Sequence, residues 1–162
     1  LLHKLRKEIP DITIRTTFIV GYPKESEKDF EELCDFIREI KFDRIGTFTF
    51  SVEENTSSYI LGDPVSEEDK ERRKNVLMEI QKDISLEKNE SFVGKKLKVL
   101  IESVEGAFFV GRSYRDAPEV DGEILINKKN NKIKIGKFYD VEINDYDEYD
   151  LFGDILLDER KR

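Results

Sequence analysis

Apolar positions recur along this chain with two different periods, and the change between them falls near Gly94. Before it the spacing is helical or comes in short blocks. Leu1, Leu2, Leu5 and Ile9 form a helical stripe that stops before Pro10. Ile12 to Val20 is an apolar, β-branched run closed by Gly21-Tyr22-Pro23. Ser26 with Asp29 three residues on predicts a capped helix start, and Phe30, Leu33, Ile37 and Ile40 give that helix one apolar stripe. Ile45 to Phe50 reads as a second strand. This order of helix, strand, helix and strand predicts a parallel strand pair with helices packed outside it. Two strands cannot close a sheet, so residues 1–65 are expected to be the last part of a larger α/β barrel. A start in mid-stripe suggests a piece of a longer protein.

Alternation sorts the strand residues into faces. In the first strand Thr16, Phe18 and Val20 oppose Arg15, Thr17, Ile19 and Gly21; in the second, Gly46, Phe48 and Phe50 oppose Thr47, Thr49 and Ser51. The more apolar face of each is expected to meet the helices. The other face, with Arg15, Thr17, Thr47, Thr49 and Ser51, is expected to line a cavity around a polar ligand, although hydroxyl residues also simply suit β-structure. Active sites of α/β barrels lie at the C-terminal strand ends, here Gly21-Tyr22-Pro23 and Ser51-Val52-Glu53-Glu54.

Residues 56–65 read as a linker. Ser66 then caps a long helix with Glu67, Glu68 and Asp69 at its positive end, Leu77, Ile80 and Ile84 as its apolar stripe, and Gly94 as its stop. Its mostly charged surface makes residues 66–94 either a solvated helix or a strut between domains. Past Gly94 the period is two: Leu97, Val99 and Ile101, Phe108 and Val110, Ile124 and Ile126, Tyr139, Val141 and Ile143, then Leu151, Ile155 and Leu157. Five short strands predict a small antiparallel barrel of OB-like type over residues 95–159, with a tail at 160–162. Lys128 to Lys132 and Gly136 mark its longest polar turns.

Charge narrows the choice of partner. The 162 residues hold 28 basic and 36 acidic side chains, a net charge of -8. That argues against a dedicated nucleic-acid binder, which must neutralise phosphates, and suits a basic partner. Between Lys95 and Glu159 there are 10 basic and 15 acidic residues. The acids gather in the loop Gly111 to Gly122, with Asp116, Glu119 and Asp121 beside Arg112 and Arg115, and in the run Asn144 to Asp150, where Asp147 and Glu148 are read as exposed. One cysteine, Cys34, excludes an internal disulfide or a cluster held by this chain alone; it sits on an apolar helix face as a small hydrophobe. His3 has no partner ligand at metal spacing. No apolar run reaches membrane length and the first 20 residues lack a signal pattern, so a cytoplasmic location is expected.

Two stretches carry a resemblance. The loop GRSYRDAPEVDG is similar to a signature of the C-terminal TRAM domain of bacterial radical-SAM methylthiotransferases, of the type that modifies an aspartate of a small-subunit ribosomal protein. Arg15 to Glu27, RTTFIVGYPKESE, resembles that family's RTTFIVGFPGETE, with Lys24 for Gly and Ser26 for Thr. Phe50 to Thr56 resembles its YSPEEGTP, and Glu53 stands where transfer-RNA-modifying relatives usually carry Arg.

The resemblance implies the end of a radical-SAM barrel followed by a TRAM domain. It implies S-adenosylmethionine beside Arg15, Thr17, Gly21, Tyr22 and Ser51, and two 4Fe-4S clusters in the intact enzyme, none of them on this chain. The family's CxxxCxxC motif is absent from it, so the chain alone is expected to be inactive. A basic ribosomal protein would meet Arg112, Arg115, Asp116, Glu119, Asp121, Asp147 and Glu148, with Arg112 and Arg115 expected to brace the loop internally rather than grip phosphate, because their acidic neighbours cancel their field. The alternatives are a transfer-RNA-modifying relative with an RNA-binding TRAM domain and a stand-alone protein-binding module.

Overall fold

In the computed structural model, which describes residues 1–118, 120–128 and 133–156, the chain divides after Ile84 into two units, Leu1–Ile84 and Ser85–Arg162. The first holds helix α1 (Leu2–Glu8), strand β1 (Arg15–Val20), helix α2 (Glu27–Ile40), strand β2 (Arg44–Thr49) and most of helix α3 (Glu67–Glu90). Ser26 and Asp29 form the expected capping box. The Ser26 hydroxyl accepts the Asp29 amide at 3.2 Å and the Asp29 carboxylate accepts the Ser26 amide at 2.8 Å. The Ser26 hydroxyl also donates to the Asp29 carboxylate at 2.6 Å, the main cause that holds that carboxyl below its ordinary pKa.

β1 and β2 pair in parallel, from Arg15 opposite Arg44 to Val20 opposite Thr49. One face of the pair is covered. Val20, Phe30, Ile37, Ile45, Leu77 and Ile80 belong to its core, and Val20, Ile37 and Leu77 have no solvent exposure. Burying side chains of this size contributes about 1.5–3 kcal/mol each.

The second unit is a closed barrel built from β3 (Lys96–Glu105), β4 (Phe108–Arg112), β5 (Ile124–Asn127), β6 (Phe138–Tyr146) and β7 (Leu151–Ile155), in the order β3-β4-β5-β7-β6. The period-two residues fill it: Val99, Ile101, Ile124, Ile126, Val141 and Ile143 are almost wholly buried. The expected antiparallel barrel is mixed in one seam, since β5 and β7 run parallel. Register shifts at Ile101/Ser103 and Ile143/Asp145 bend β3 and β6, as closing so few strands requires. Gly111 and Gly153 permit the close crossings; a Cβ at either would meet Val99 or Val141 Cγ1 at 2.6 Å.

α3 ends before the expected stop at Gly94. The Ser91 hydroxyl donates back to the Lys88 carbonyl at 2.7 Å, a tight turn follows, and the Gly94 amide donates to the Ile143 carbonyl of the barrel at 2.8 Å. Glu119, the stretch Lys129 to Lys132, Leu157 and the tail at 160–162 lie outside the described residues. No helix of the described residues is long and apolar enough to cross a membrane.

Candidate functional site

The uncovered face of the β1–β2 pair is the first candidate. Arg15, Thr17 and Ile19 of β1 share it with Arg44, Gly46 and Phe48 of β2, because the register sets Thr17 beside Gly46 and Ile19 beside Phe48. Ile19 and Phe48 are 60% and 61% exposed, an adjacent pair of large apolar groups laid open next to hydroxyl and guanidinium groups. Gly46 leaves the sheet flat between them, with the Thr17 hydroxyl 3.5 Å from where a Cβ would stand. Beyond the strand ends Tyr22 packs edge-on against Phe50 with ring centroids 5.5 Å apart. Ser51 is exposed and donates to Glu53 at 3.1 Å. A flat ligand with apolar faces and polar edges fits this surface.

The faces of β2 differ from expectation. Thr47 is buried and lies with Ile45 and Thr49 on the helix side, while Gly46 and Phe48 are on the open one. Ile45 decides this. A one-residue shift of phase exchanges the two faces of a strand, and burying Ile45 in the core carries Thr47 and Thr49 with it. Of the residues expected at the cofactor, Arg15 and Thr17 lie on the open face, Gly21 and Tyr22 follow the end of β1, and Ser51 follows β2.

Gly21 turns the chain at that edge with φ +80°. Its amide and that of Tyr22 both donate to Glu25 Oε2, at 2.5 and 3.1 Å. Arg73 of α3, 7% exposed, lies 3.3 Å from Glu25 Oε1 and also reaches Glu27 at 3.2 Å. Its guanidinium sits over the Phe30 ring at 5.5 Å. Lys70, with no exposed side-chain surface, runs beneath Gly21 so closely that a Cβ on the glycine would collide with its Cγ. The Lys70 ammonium donates to Asp63 at 2.5 Å and to Glu67 at 2.6 Å. Burial opposes that charge, but the two carboxylates outweigh it and raise its pKa above the ordinary lysine value.

Sequence reasoning missed Glu25, Lys70 and Arg73. The signal was there: 70, 73, 77, 80 and 84 continue one helical stripe upward from Leu77, and two cations stand on it.

The second candidate is the loop from Gly111 to Gly122. Much of its charge is turned inward. The Asp116 carboxylate accepts the Ser113 amide at 3.0 Å and hydroxyl at 2.8 Å, and Asp121 accepts the Ala117 amide at 2.6 Å. Arg115 stacks its guanidinium 3.8 Å from the Phe92 ring centroid. Arg115 and Asp116 are 7% and 9% exposed, and both hold the loop.

Asp147 accepts the amides of Tyr149 and Asp150 at 2.8 and 2.7 Å, closing the β6–β7 turn. It and Glu148 are half-buried, so Asp147 is a structural acceptor and not the freely exposed charge expected. Asp150 in turn accepts the Glu123 amide at 2.7 Å, and Gly122 lies against the Tyr149 carbonyl where no Cβ fits.

Between loop and turn is a cleft of about 420 Å³ with Val110, Pro118, Val120 and Tyr149 among its walls and Glu102 and Glu123 at its side. Arg112 pairs with Glu102 at 2.8 Å. Partial burial raises the Glu123 pKa, and the negative charges of Glu105, Asp150 and Glu102 raise it further.

Among the described residues no group of three or more His, Cys, Asp or Glu could hold a metal ion, and the single cysteine is buried in the α2 face. His3 contacts Glu39 at 2.9 Å on the surface. An iron–sulfur cluster does not fit this chain's own residues.

A family model described as the TRAM domain matches residues 93–156, which contain all five strands of the barrel. The chain is 47% identical over 156 residues to the ribosomal protein uS12 methylthiotransferase RimO of Cytophaga hutchinsonii, covering 96% of itself and 36% of that protein. It is 47% identical over 157 residues to the protein of the same name from Bacteroides fragilis, with the same two shares. Against the one from Thermotoga petrophila it is 45% identical over 156 residues, again 96% of this chain and 36% of the relative. The chain thus spans little more than a third of the length of these curated relatives.

Proposed function

We propose that this chain, which is homologous to the C-terminal part of the uS12 methylthiotransferases and carries their TRAM domain, works as the cofactor-facing end and substrate-recruiting module of an enzyme that methylthiolates an aspartate of ribosomal protein uS12. The observation that carries the reading is continuity: one unbroken similarity runs through both the open strand pair and the barrel. S-adenosylmethionine, with two 4Fe-4S clusters bound outside this chain, would supply the methylthio-transfer chemistry. The residues present fit the first of these groups. The apolar pair Ile19 and Phe48 offers a bed for an adenine ring beside Gly46, and Arg15, Thr17 and Ser51 would supply polar partners to the rest of the molecule. The Gly21–Tyr22 turn bounds the same surface.

The barrel suits a basic protein because its acidic excess attracts positive charge over a Debye length of about 8 Å at physiological salt. Among the described residues, Glu102 and Glu123 are exposed acids at the cleft, and the exposed Glu105 lies within electrostatic reach of Glu123. The test uses the full-length enzyme with its clusters reconstituted, S-adenosylmethionine, and either uS12 or transfer RNA. Mass spectrometry of a uS12 peptide should read a methylthio group on aspartate. A methylthio group on transfer-RNA nucleosides, with uS12 unmodified, would overturn the reading in favour of the RNA-modifying alternative.

A further inference from the structure

Two cations stand side by side on the buried face of α3, directly behind the turn that ends β1. Lys70 is wholly enclosed and Arg73 nearly so. Enclosing a lysine ammonium is costly, and an apolar side chain of the same length would fill the space at least as well. Packing therefore does not explain the charge. Its surroundings do. The Lys70 stem occupies the volume that any side chain at position 21 would need, and its ammonium is fixed from two directions by Asp63 and Glu67. Arg73 meets the same turn by another route: it faces Glu25, whose other oxygen receives the amides of Gly21 and Tyr22. It also accompanies the Glu25 backbone, since its Nη1 donates to that carbonyl at 3.3 Å. The turn is thus pinned from below by the lysine stem and laterally by a guanidinium–carboxylate–amide chain. Neither cation reaches the open face.

We propose that Lys70 and Arg73 are positioning residues for S-adenosylmethionine, setting the Gly21–Tyr22 turn at the edge of the open face through the stem of one and the Glu25 carboxylate of the other. This rests on the reading of that face as a cofactor wall. The two residues act on the backbone of the turn, so their loss loosens the site without removing any group that touches the cofactor. The signature is weaker cofactor binding with turnover at saturating cofactor largely kept.

The experiment uses the full-length, cluster-loaded enzyme with Lys70→Met, which keeps most of the stem but removes the ammonium by which Asp63 and Glu67 hold that stem in place, and Arg73→Lys, which keeps the charge and removes the fork. Ile84→Val on the same helix serves as a control for plain loss of packing. Three quantities are read: equilibrium dialysis of S-adenosylmethionine, hydrogen exchange of the peptide spanning Gly21 and Tyr22, and KM against kcat. Both variants should raise the Kd and KM for S-adenosylmethionine about five- to tenfold, equivalent to about 1–1.4 kcal/mol, and speed exchange at the turn. They should leave kcat within about twofold, the split expected when binding rather than the chemical step is affected. The control should change thermal stability alone. If Lys70→Met does not fold, Arg73→Lys carries the same comparison. Variants that lose thermal stability but keep parental Kd and parental exchange at the turn would reduce both residues to structural ones and overturn the proposal. If the parent enzyme binds S-adenosylmethionine with no added protection at Gly21 and Tyr22, the assignment of the face itself falls, and the proposal with it. That failure shows in the parent and is distinguishable from the first.

Discussion

Removing the Asp147 carboxylate should loosen the barrel at its β6–β7 turn. The side chain accepts two amides, those of Tyr149 and Asp150, at 2.8 and 2.7 Å, while its own amide donates to the Asp150 carbonyl at 3.0 Å. A hydrogen bond to a charged acceptor contributes about 1.5–3 kcal/mol. Here the Tyr149 bond is exposed and the Asp150 bond only partly buried, so water recovers a share, and Asp147→Ala should cost about 2 kcal/mol in all. For a unit of 60–100 residues each kcal/mol lowers Tm by about 4–8 °C, which places the expected drop near 8–16 °C. Asp147→Asn keeps an oxygen acceptor without the charge and should lose about half as much. Differential scanning calorimetry reads the barrel transition, and amide exchange at Tyr149 and Asp150 locates the change. An alanine variant with parental Tm and unchanged exchange at those two amides would refute the role given to the carboxylate.

Two further outcomes follow from the same unit. Glu123 has its pKa raised in the folded state, first by burial and then by Glu105, Asp150 and Glu102. The folded state holds the proton more tightly than the unfolded one, whose value is about 4.3. Stability is therefore lost as pH rises through the window between the two values. Glu123→Gln should be more stable than the parent at neutral pH and no more stable below pH ~4, as denaturant titration at both pH values will read; equal stability at neutral pH would contradict it. Gly122→Ala forces a Cβ onto the Tyr149 carbonyl, and such overpacking costs about 1–3 kcal/mol. The loop must lift, so exchange at the Glu123 amide, bonded to Asp150, should rise; an unchanged rate would show that the loop is not docked there.

Much of the fold could be read from local chemistry. Ser26 and Asp29 announced the start of α2, and the helical and twofold periods separated the two units because each period reports directly which side chains must be buried. The phase of a short strand is a different matter. Alternation in β2 yields two faces but does not say which is covered, and counting from Gly46 hid the vote of Ile45. Lys70 and Arg73 were passed over because charge was taken to mean solvent, whereas their long stems are apolar and can lie within a packed stripe. The loop carboxylates were read outward for the same reason. Short Asp side chains reach their own backbone readily, and in this barrel they do.

That last point separates charge from availability. The attraction of an acidic barrel for a basic protein depends on its net charge over distances of several ångströms, and a carboxylate that accepts backbone amides still contributes to that field. What such a carboxylate cannot do is move to meet an incoming ammonium or guanidinium. Among the described acids near the cleft the division follows side-chain length. Asp116, Asp121, Asp147 and Asp150 hold backbone amides, while Glu102, Glu105 and Glu123 stand exposed, with Glu102 paired to Arg112 across a half-exposed contact that contributes at most about 1 kcal/mol. Burial first, and then the negative charges of Glu105, Asp150 and Glu102, raise the pKa of Glu123. On the function proposed above, a cation brought by a basic partner would offset those charges. The aspartates thus give the surface its shape and part of its field, and on the function proposed above the glutamates would be the groups that meet a basic partner. Substituting one of these aspartates removes hydrogen bonds to the backbone, whereas substituting a glutamate leaves those bonds in place.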